Sequence, residues 1–154
     1  MQITQLKDSK NKPRKVVLIP GDGEKEPDCG VHVLRSHSDV YQAAFRKWQQ
    51  VRVRKNAGKR QVNLKSAEAA KELVDAQHEM DEFLVRACIT SIFGFTVAKV
   101  DAEGKPATNA QGEPELEAAP LNNEVLSGMF SERPEWIGTL IAEVRADDEG
   151  PTTT

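Results

Sequence analysis

The N-terminal part of the chain has short apolar runs separated by turn residues. The runs RKVVLIP and VHVLR are rich in β-branched residues, and GDGEKEPDCG lies between them. Such residues favour strands, and an Asp-Gly pair favours a tight turn because glycine takes a positive φ without steric cost. The pattern predicts a β-hairpin with strands over residues 15–19 and 29–35 and a turn at Asp22 and Gly23.

The segment SHSDVYQAAFRKWQQVRVR has apolar residues spaced with the period of a helix. Its apolar residues recur at intervals of three and four, so they share one helical face. Ser38 precedes the pattern and is the predicted N-cap, because a serine side chain can accept a hydrogen bond from the first turn. The residues of this face are Tyr41, Ala44, Phe45, Trp48 and Val51.

A longer amphipathic pattern follows the break at KNAGKR and predicts the central helix of the fold. Ser66 is the predicted N-cap, and Gly94 and the residues after Lys99 end the helix. The apolar stripe widens toward the C-terminal end, so we expect the last two turns to be buried nearly all round. Its positions are Ala70, Leu73, Val74, Met80, Leu84, Ala87, Cys88, Ser91 and Ile92, interrupted at Gln77.

Residues 99–119 are rich in Gly, Pro, Asn and acidic residues. This composition predicts a solvated, flexible connector, and we recognise no internal repeat in the chain. Asn122 then predicts the N-cap of a short helix through Phe130, and Ser131 that of a second helix. The buried stripe of the second helix is expected at Ile137, Leu140, Ile141 and Val144.

These elements predict a mainly α-helical α+β fold. It comprises an N-terminal β-hairpin, two main amphipathic helices, a flexible acidic linker and a C-terminal short helical hairpin. We expect a core domain over residues 1–98, a linker over 99–119 and a helical clip over 120–146 that packs on the core. Residues 147–154 are expected to form a disordered tail.

Charge is sorted along the chain. With 154 residues and 38% hydrophobic residues, one domain with a modest core is expected, and the net charge is only −3. Residues 40–67 nevertheless contain eight Lys or Arg and no acid, whereas residues 101–154 contain twelve acids and three basic residues. The middle and the C-terminal part should therefore attract each other or oppositely charged partners.

The two cysteines and the apolar runs bear on the location of the protein. Cys29 and Cys88 are far apart and form no CxxC pair, and no N-terminal signal pattern is recognised. We therefore expect a reducing, cytoplasmic setting. The longest apolar runs fall short of the roughly 20 residues of a membrane span, so no membrane association is expected.

Candidate chemistry is sparse. Cys29, His32 and His37 form one cluster, but a structural zinc site needs four ligands in two close pairs, so we predict no metal. No nucleophile and base can be paired, so we predict no catalytic residue, no cofactor and no enzyme activity. The basic stretch over residues 46–65 could bind nucleic acid, although its aromatic residues lie on the apolar helical face.

The C-terminal segment PLNNEVLSGMFSERPEWIGTLIAEV is similar to a stretch found in tail assembly chaperones of long-tailed bacteriophages. The order of the parts, from β-hairpin to acidic linker and helical clip, also resembles that family, as does the N-terminal segment KVVLIPGDGE followed by GVHVLR. The matching positions are Leu121, Glu124, Val125, Leu126, Met129, Phe130, Pro134, Trp136, Ile137 and Ile141.

The resemblance implies a protein that binds and solubilises the tape-measure protein, helps recruit tail-tube subunits and leaves before the virion is complete. It would act in the host cytoplasm, and a ribosomal frameshift would make a longer form. Two alternatives stay open: a structural virion component, such as a connector or minor tail protein, and a small nucleic-acid-binding protein. Self-association would suit a protein that coats a long partner.

The residues expected to contact a partner belong to the first helix and the clip. The clip residues either complete or guard a groove beside the central helix, or they simply finish the core. The candidates are Tyr41, Phe45, Trp48, Leu126, Met129, Phe130, Trp136 and Leu140.

Overall fold

A computed structural model describes residues 2–3, 9–23, 26–56 and 67–146. The predicted cap at Ser66 and the predicted tail over residues 147–154 lie outside these ranges. The helices are α1 (Asp39–Asn56), α2 (Ala67–Cys88), α3 (Asn123–Glu132) and α4 (Glu135–Arg145). The strands are β1 (Arg14–Ile19), β2 (Cys29–Val33), β3 (Ile89–Phe93), β4 (Thr96–Ala98) and β5 (Leu116–Ala118). The mixed α+β class is confirmed.

The predicted hairpin is present and belongs to a three-stranded antiparallel sheet in the order β1-β2-β3. Val31 pairs with Val16 on one side and with Ile92 on the other. The turn between β1 and β2 has Gly23 at a φ of 98°, and the Asp22 side chain accepts a hydrogen bond from the Glu26 amide at 2.7 Å. Glycine therefore stands where the turn requires a left-handed conformation.

The predicted end of the central helix is wrong. Helix α2 ends at Cys88, and the next residue begins β3, so Ser91 and Ile92 lie on a strand. The segment ITSIF carries three β-branched residues, and pairing with β2 decides their conformation. At the junction the Leu34 amide donates to the Cys88 carbonyl at 2.9 Å, which joins the helix end to the end of β2.

Two of the predicted caps are confirmed and a third is wrong. Ser38 Oγ accepts from the Tyr41 amide at 3.2 Å, and Asn122 Oδ1 accepts from the Val125 amide at 2.8 Å. Ser131 instead lies within α3, and α4 begins after Pro134, whose φ is −63°. Proline suits this position because its fixed φ is helical and its missing N–H has no partner in a first turn.

The core lies between the inner face of the sheet and the helices. The inner face supplies Val16, Val31 and Val33, and α2 adds residues of its last two turns. The α4 stripe is Trp136, Leu140, Ile141 and Val144, while Ile137 is only partly buried. The other buried members of the cluster are Leu34, Tyr41, Ala44, Leu84, Val85, Cys88, Ile89, Leu126 and Phe130.

The connector has a defined hydrogen-bonding pattern, which its composition did not predict. Strand β5 pairs antiparallel with β4, and two tight loops lie between them at residues 101–105 and 109–113. Gly104 and Gly112 occupy equivalent positions with φ of 81° and 79°. The segment is therefore a small β-structure, while its mobility stays a prediction.

The two loops reveal an internal repeat of eight residues, so the expectation of no repeat is wrong. DAEGKPAT is followed directly by NAQGEPEL, and both loops close on the same pattern of hydrogen bonds. Three backbone hydrogen bonds join the junctions of these loops in a ring: Lys99 N to Glu115 O at 2.9 Å, Ala107 N to Lys99 O at 2.8 Å, and Glu115 N to Ala107 O at 3.0 Å. Ala107 and Glu115, which occupy equivalent positions in the two repeats, thus meet Lys99, which precedes the first repeat, at one centre.

None of the helices in the described part of the chain is long and apolar enough to cross a membrane.

Candidate partner-binding site

The structure places most of the expected partner-binding residues in the core. Tyr41, Leu126, Phe130, Trp136 and Leu140 are buried, with exposed fractions between 0% and 8%. Phe45, Trp48 and Met129 are partly buried. Phe45 and Met129 pack against the same cluster, whereas Trp48 contacts Phe83 at its edge. In this conformation the clip side chains finish the core, and direct contact of these residues with a partner stays a prediction.

Aromatic contacts fix the partly buried residues of α1 and the first turn of α4. The Trp48 ring lies 5.4 Å from the Phe83 ring of α2, and the Tyr41 and Phe45 rings stack at 6.1 Å. The Trp136 ring lies 5.9 Å from Phe95, the residue just before β4. Aromatic pairs at these distances favour defined relative positions, so α1 and α4 are each anchored by rings.

An open groove lies beside this core, between the middle of α2 and the start of α4. Its volume is about 460 Å³, within the range of roughly 300–1,000 Å³ that is usual for binding pockets. Most of its surface is apolar, and carboxylates from both helices stand at its rim. The lining residues are His78, Glu79, Asp81, Glu82, Pro134, Glu135, Ile137 and Gly138.

Three of the four rim carboxylates are held by arginines that do not line the groove. Asp81 pairs with Arg145 at 3.2 Å. Glu82 lies 3.4 Å from Arg86 Nε, and Glu135 lies 3.6 Å from Arg133. The Asp81 carboxylate is the least exposed of the three, whereas Arg133 and Glu135 are both more than half exposed, so water screens their pair.

The fourth rim carboxylate, that of Glu79, has no ion pair or hydrogen bond within the described residues, and its side chain is exposed. A cation brought by a ligand can therefore pair with Glu79 without displacing an arginine.

Arg86 joins the groove side of α2 to the clip. Its Nη2 donates to Ser127 Oγ of α3 at 3.0 Å, and its guanidinium lies 5.7 Å from the Phe130 ring centroid. Its Nε is buried and has only the ion pair with Glu82, without hydrogen-bond geometry. The arginine thus ties α2, α3 and one rim carboxylate together.

The packing of the chain does not require a glycine at position 138 of the groove. A Cβ added at this position would meet no other atom within 4 Å. Glycine within a helix costs about 1 kcal/mol relative to alanine, so the helix itself gains nothing from it. The open space above Gly138 is the groove.

The cysteines and histidines of the described residues do not lie together in one cluster. Among the described residues, no group of three or more His, Cys, Asp or Glu is arranged to hold a metal ion. Cys29 Sγ lies 3.3 Å from the Gly94 carbonyl, whereas His32 Nδ1 lies 2.9 Å from Ser91 Oγ. Cys88 is fully buried, and this burial raises the pKa of its thiol to about 11.

The sequence predicted a groove between the central helix and the clip, but not the residues that line this one. The acidic residues of α2 have the spacing of an ordinary solvated face, and the groove arises only because α4 approaches them from more than fifty residues further along the chain. One local feature of the sequence pointed to the groove. It is Gly138, which lies inside the helical pattern EWIGTLIAEV, where glycine is unfavourable.

No protein-family model, curated protein or solved structure matches this chain.

Proposed function

We propose that the protein is a non-catalytic assembly chaperone of long-tailed bacteriophages that binds the tape-measure protein and helps recruit tail-tube subunits. One observation carries the proposal: the segment that resembles the family forms α3 and α4, and α4 shares an open apolar groove with α2. The resembling segment therefore has both a structural role and an exposed surface.

The groove is suited to cover the apolar surface that a tape-measure protein would expose. A long, largely helical tape-measure chain would expose apolar stripes, and large exposed apolar stripes drive aggregation. An amphipathic helix can bury such a stripe in a groove between two helices. Pro134, Ile137 and Gly138 supply an apolar floor for that contact.

The buried clip residues would act indirectly in this function. Leu126 and Phe130 pack α3 into the core, and Trp136 and Leu140 do the same for α4. The connector also returns to the body of the fold before the clip, where the Ala119 amide donates to the Phe95 carbonyl at 2.9 Å and Ala119 is buried. We propose that these residues position the groove.

The proposal is tested by sequencing the DNA downstream of the gene and co-expressing the long helical protein encoded there. We expect a slippery heptamer leading into an overlapping frame, and a tape-measure protein that is soluble only when this chain is present. A tape-measure protein that stays insoluble in both cases would refute the chaperone function. A stoichiometric band of this chain in purified virions would instead favour a structural tail component.

A further inference from the structure

We propose that the groove between α2 and α4 binds one amphipathic helix of a partner protein, with an apolar ridge packed on Ile137 and Gly138 and a Lys or Arg beside Glu79. The inference deepens the proposed function and rests on it only for the identity of the partner, the tape-measure protein. The site itself follows from the geometry of the described residues.

The shape of the groove favours a helix. Its two walls are helical segments, residues 78–82 of α2 and 135–138 of α4, with Pro134 at one end. A third helix laid against two others packs its side-chain ridges into their grooves, at an axial distance of about 8–10 Å. Small residues at the contact allow the shorter distances.

Gly138 is placed where such a close approach would occur. Gly128 of α3 also has open space around a hypothetical Cβ, so open space alone does not mark a site. Gly138 differs because it lines the groove, next to Ile137 and opposite the α2 carboxylates. A side chain there would occupy the volume that a partner helix needs.

The charges select the kind of helix. Four carboxylates line the groove, and the arginines bound to three of them stand outside the lining. A helix with Lys or Arg beside its apolar ridge would gain an ion pair with Glu79, whereas an acidic helix would meet like charges. We therefore assign a basic amphipathic helix as the occupant.

The test uses the full-length chain and two fluorescent amphipathic peptides with the same leucine ridge, one flanked by Lys and the other by Glu. We expect the Lys peptide to bind at least about tenfold tighter than the Glu peptide, measured by fluorescence anisotropy. Equal binding of the two peptides, or no binding of the Lys peptide, would overturn the proposal.

Two matched pairs of variants locate the binding. Gly138→Leu should weaken binding of the Lys peptide at least about tenfold, whereas Gly128→Leu, on the neighbouring helix, should leave it unchanged. Glu79→Lys should weaken it as well, and Asp75→Lys, one turn earlier on α2 and outside the groove, should not. Circular dichroism checks that all four variants fold. Equal affinity within both pairs would place the binding elsewhere.

Two further measurements separate the remaining outcomes. If Gly138→Leu abolishes self-association of the chain in sedimentation experiments and leaves peptide binding intact, the occupant is a second copy and the proposal is wrong. If Gly138→Leu still solubilises the tape-measure protein, the groove assignment fails while the proposed function stands. If the wild-type chain binds the Lys peptide but does not solubilise the tape-measure protein, the proposed function fails while the groove assignment stands.

Discussion

Asp101 and Asn109 lie eight residues apart and make the same hydrogen bonds with the chain that follows them. Asp101 Oδ1 accepts from the amides of Glu103 and Lys105, and Asn109 Oδ1 accepts from those of Gln111 and Glu113, all at 2.9 Å. A carboxylate and an amide thus serve equally, because each loop needs only one acceptor oxygen at this place.

Removal of that oxygen should open one loop and leave the other closed. In Asp101→Ala, hydrogen exchange should accelerate at the amides of residues 103 and 105, with a local loss of about 1 kcal/mol. In Asn109→Ala the same should occur at residues 111 and 113. Asp101→Asn is the control and should keep the protection of the wild type. Equal loss of protection in both loops after either alanine substitution would contradict two independent loops.

Gly94 should tolerate alanine much less than Gly104 does. Both have positive φ, at 80° and 81°, but a Cβ on Gly94 would collide with the Asp28 carbonyl oxygen and lie 2.9 Å from Cys29 Sγ. A Cβ on Gly104 would meet nothing within 4 Å. We expect Gly104→Ala to cost about 1 kcal/mol of unfolding free energy and Gly94→Ala at least about 2 kcal/mol more. Urea denaturation of the two variants measures both costs, and similar values would contradict this packing.

Cys88 should make the fold sensitive to alkaline pH. Burial disfavours the thiolate and raises the pKa of the thiol from 9.0 to about 11 in the folded protein. Below pH 9 the Cys88 thiol is protonated in both the folded and the unfolded protein, so it has no effect on the pH dependence of stability. Between pH 9 and 11 the thiol loses its proton in the unfolded chain only, so the folded state loses stability over this range. A loss on the order of 2 kcal/mol follows.

The measurement compares denaturation of the wild type and of Cys88→Ala at pH 7 and pH 10.5. The variant should be less stable at pH 7 because of the cavity, but its stability should fall less on going to high pH. An identical pH dependence in the two proteins would show that Cys88 does not contribute. Thiol labelling at pH 8 should likewise modify Cys29 in the native protein and Cys88 only after unfolding.

Truncation of a core residue of the clip should destabilise the protein. Leu140 is fully buried, so Leu140→Ala should cost about 2–5 kcal/mol, whereas Leu116→Ala, at a residue that is 62% exposed, should change stability by less than about 0.5 kcal/mol. Thermal denaturation measures the difference. Comparable melting temperatures for both variants would mean that α4 is not part of the core. For the same reason, deletion of residues 120–154 is a poor test of partner binding.

The parts of the fold that depend on local chemistry could be predicted from the sequence. Ser38 and Asn122 cap their helices because a short polar side chain reaches the free amides of the first turn. The β1–β2 turn at Gly23 follows from the φ that glycine allows. The α4 stripe was largely correct because helical periodicity determines which side faces the core.

The parts that depend on distant contacts could not be predicted. The residues after Cys88 continue an apolar pattern that suits a helix, and only pairing with β2 turns them into a strand. The repeat of eight residues has only three identical positions, so it becomes evident from the backbone hydrogen bonds that join Lys99, Ala107 and Glu115. The lining residues of the groove between α2 and α4 could not be predicted either, because they come from two segments that the sequence separates widely.

The ring formed by Lys99, Ala107 and Glu115 closes the connector on itself. The chain leaves β4 and returns at β5, its antiparallel neighbour, so residues 99–115 begin and end side by side. In protein engineering, residues 99–115 could therefore be exchanged for another sequence. A two-residue turn could replace them, and the exposed loop tips near residues 102 and 110 could carry an affinity tag or a fluorophore while the helices keep their places.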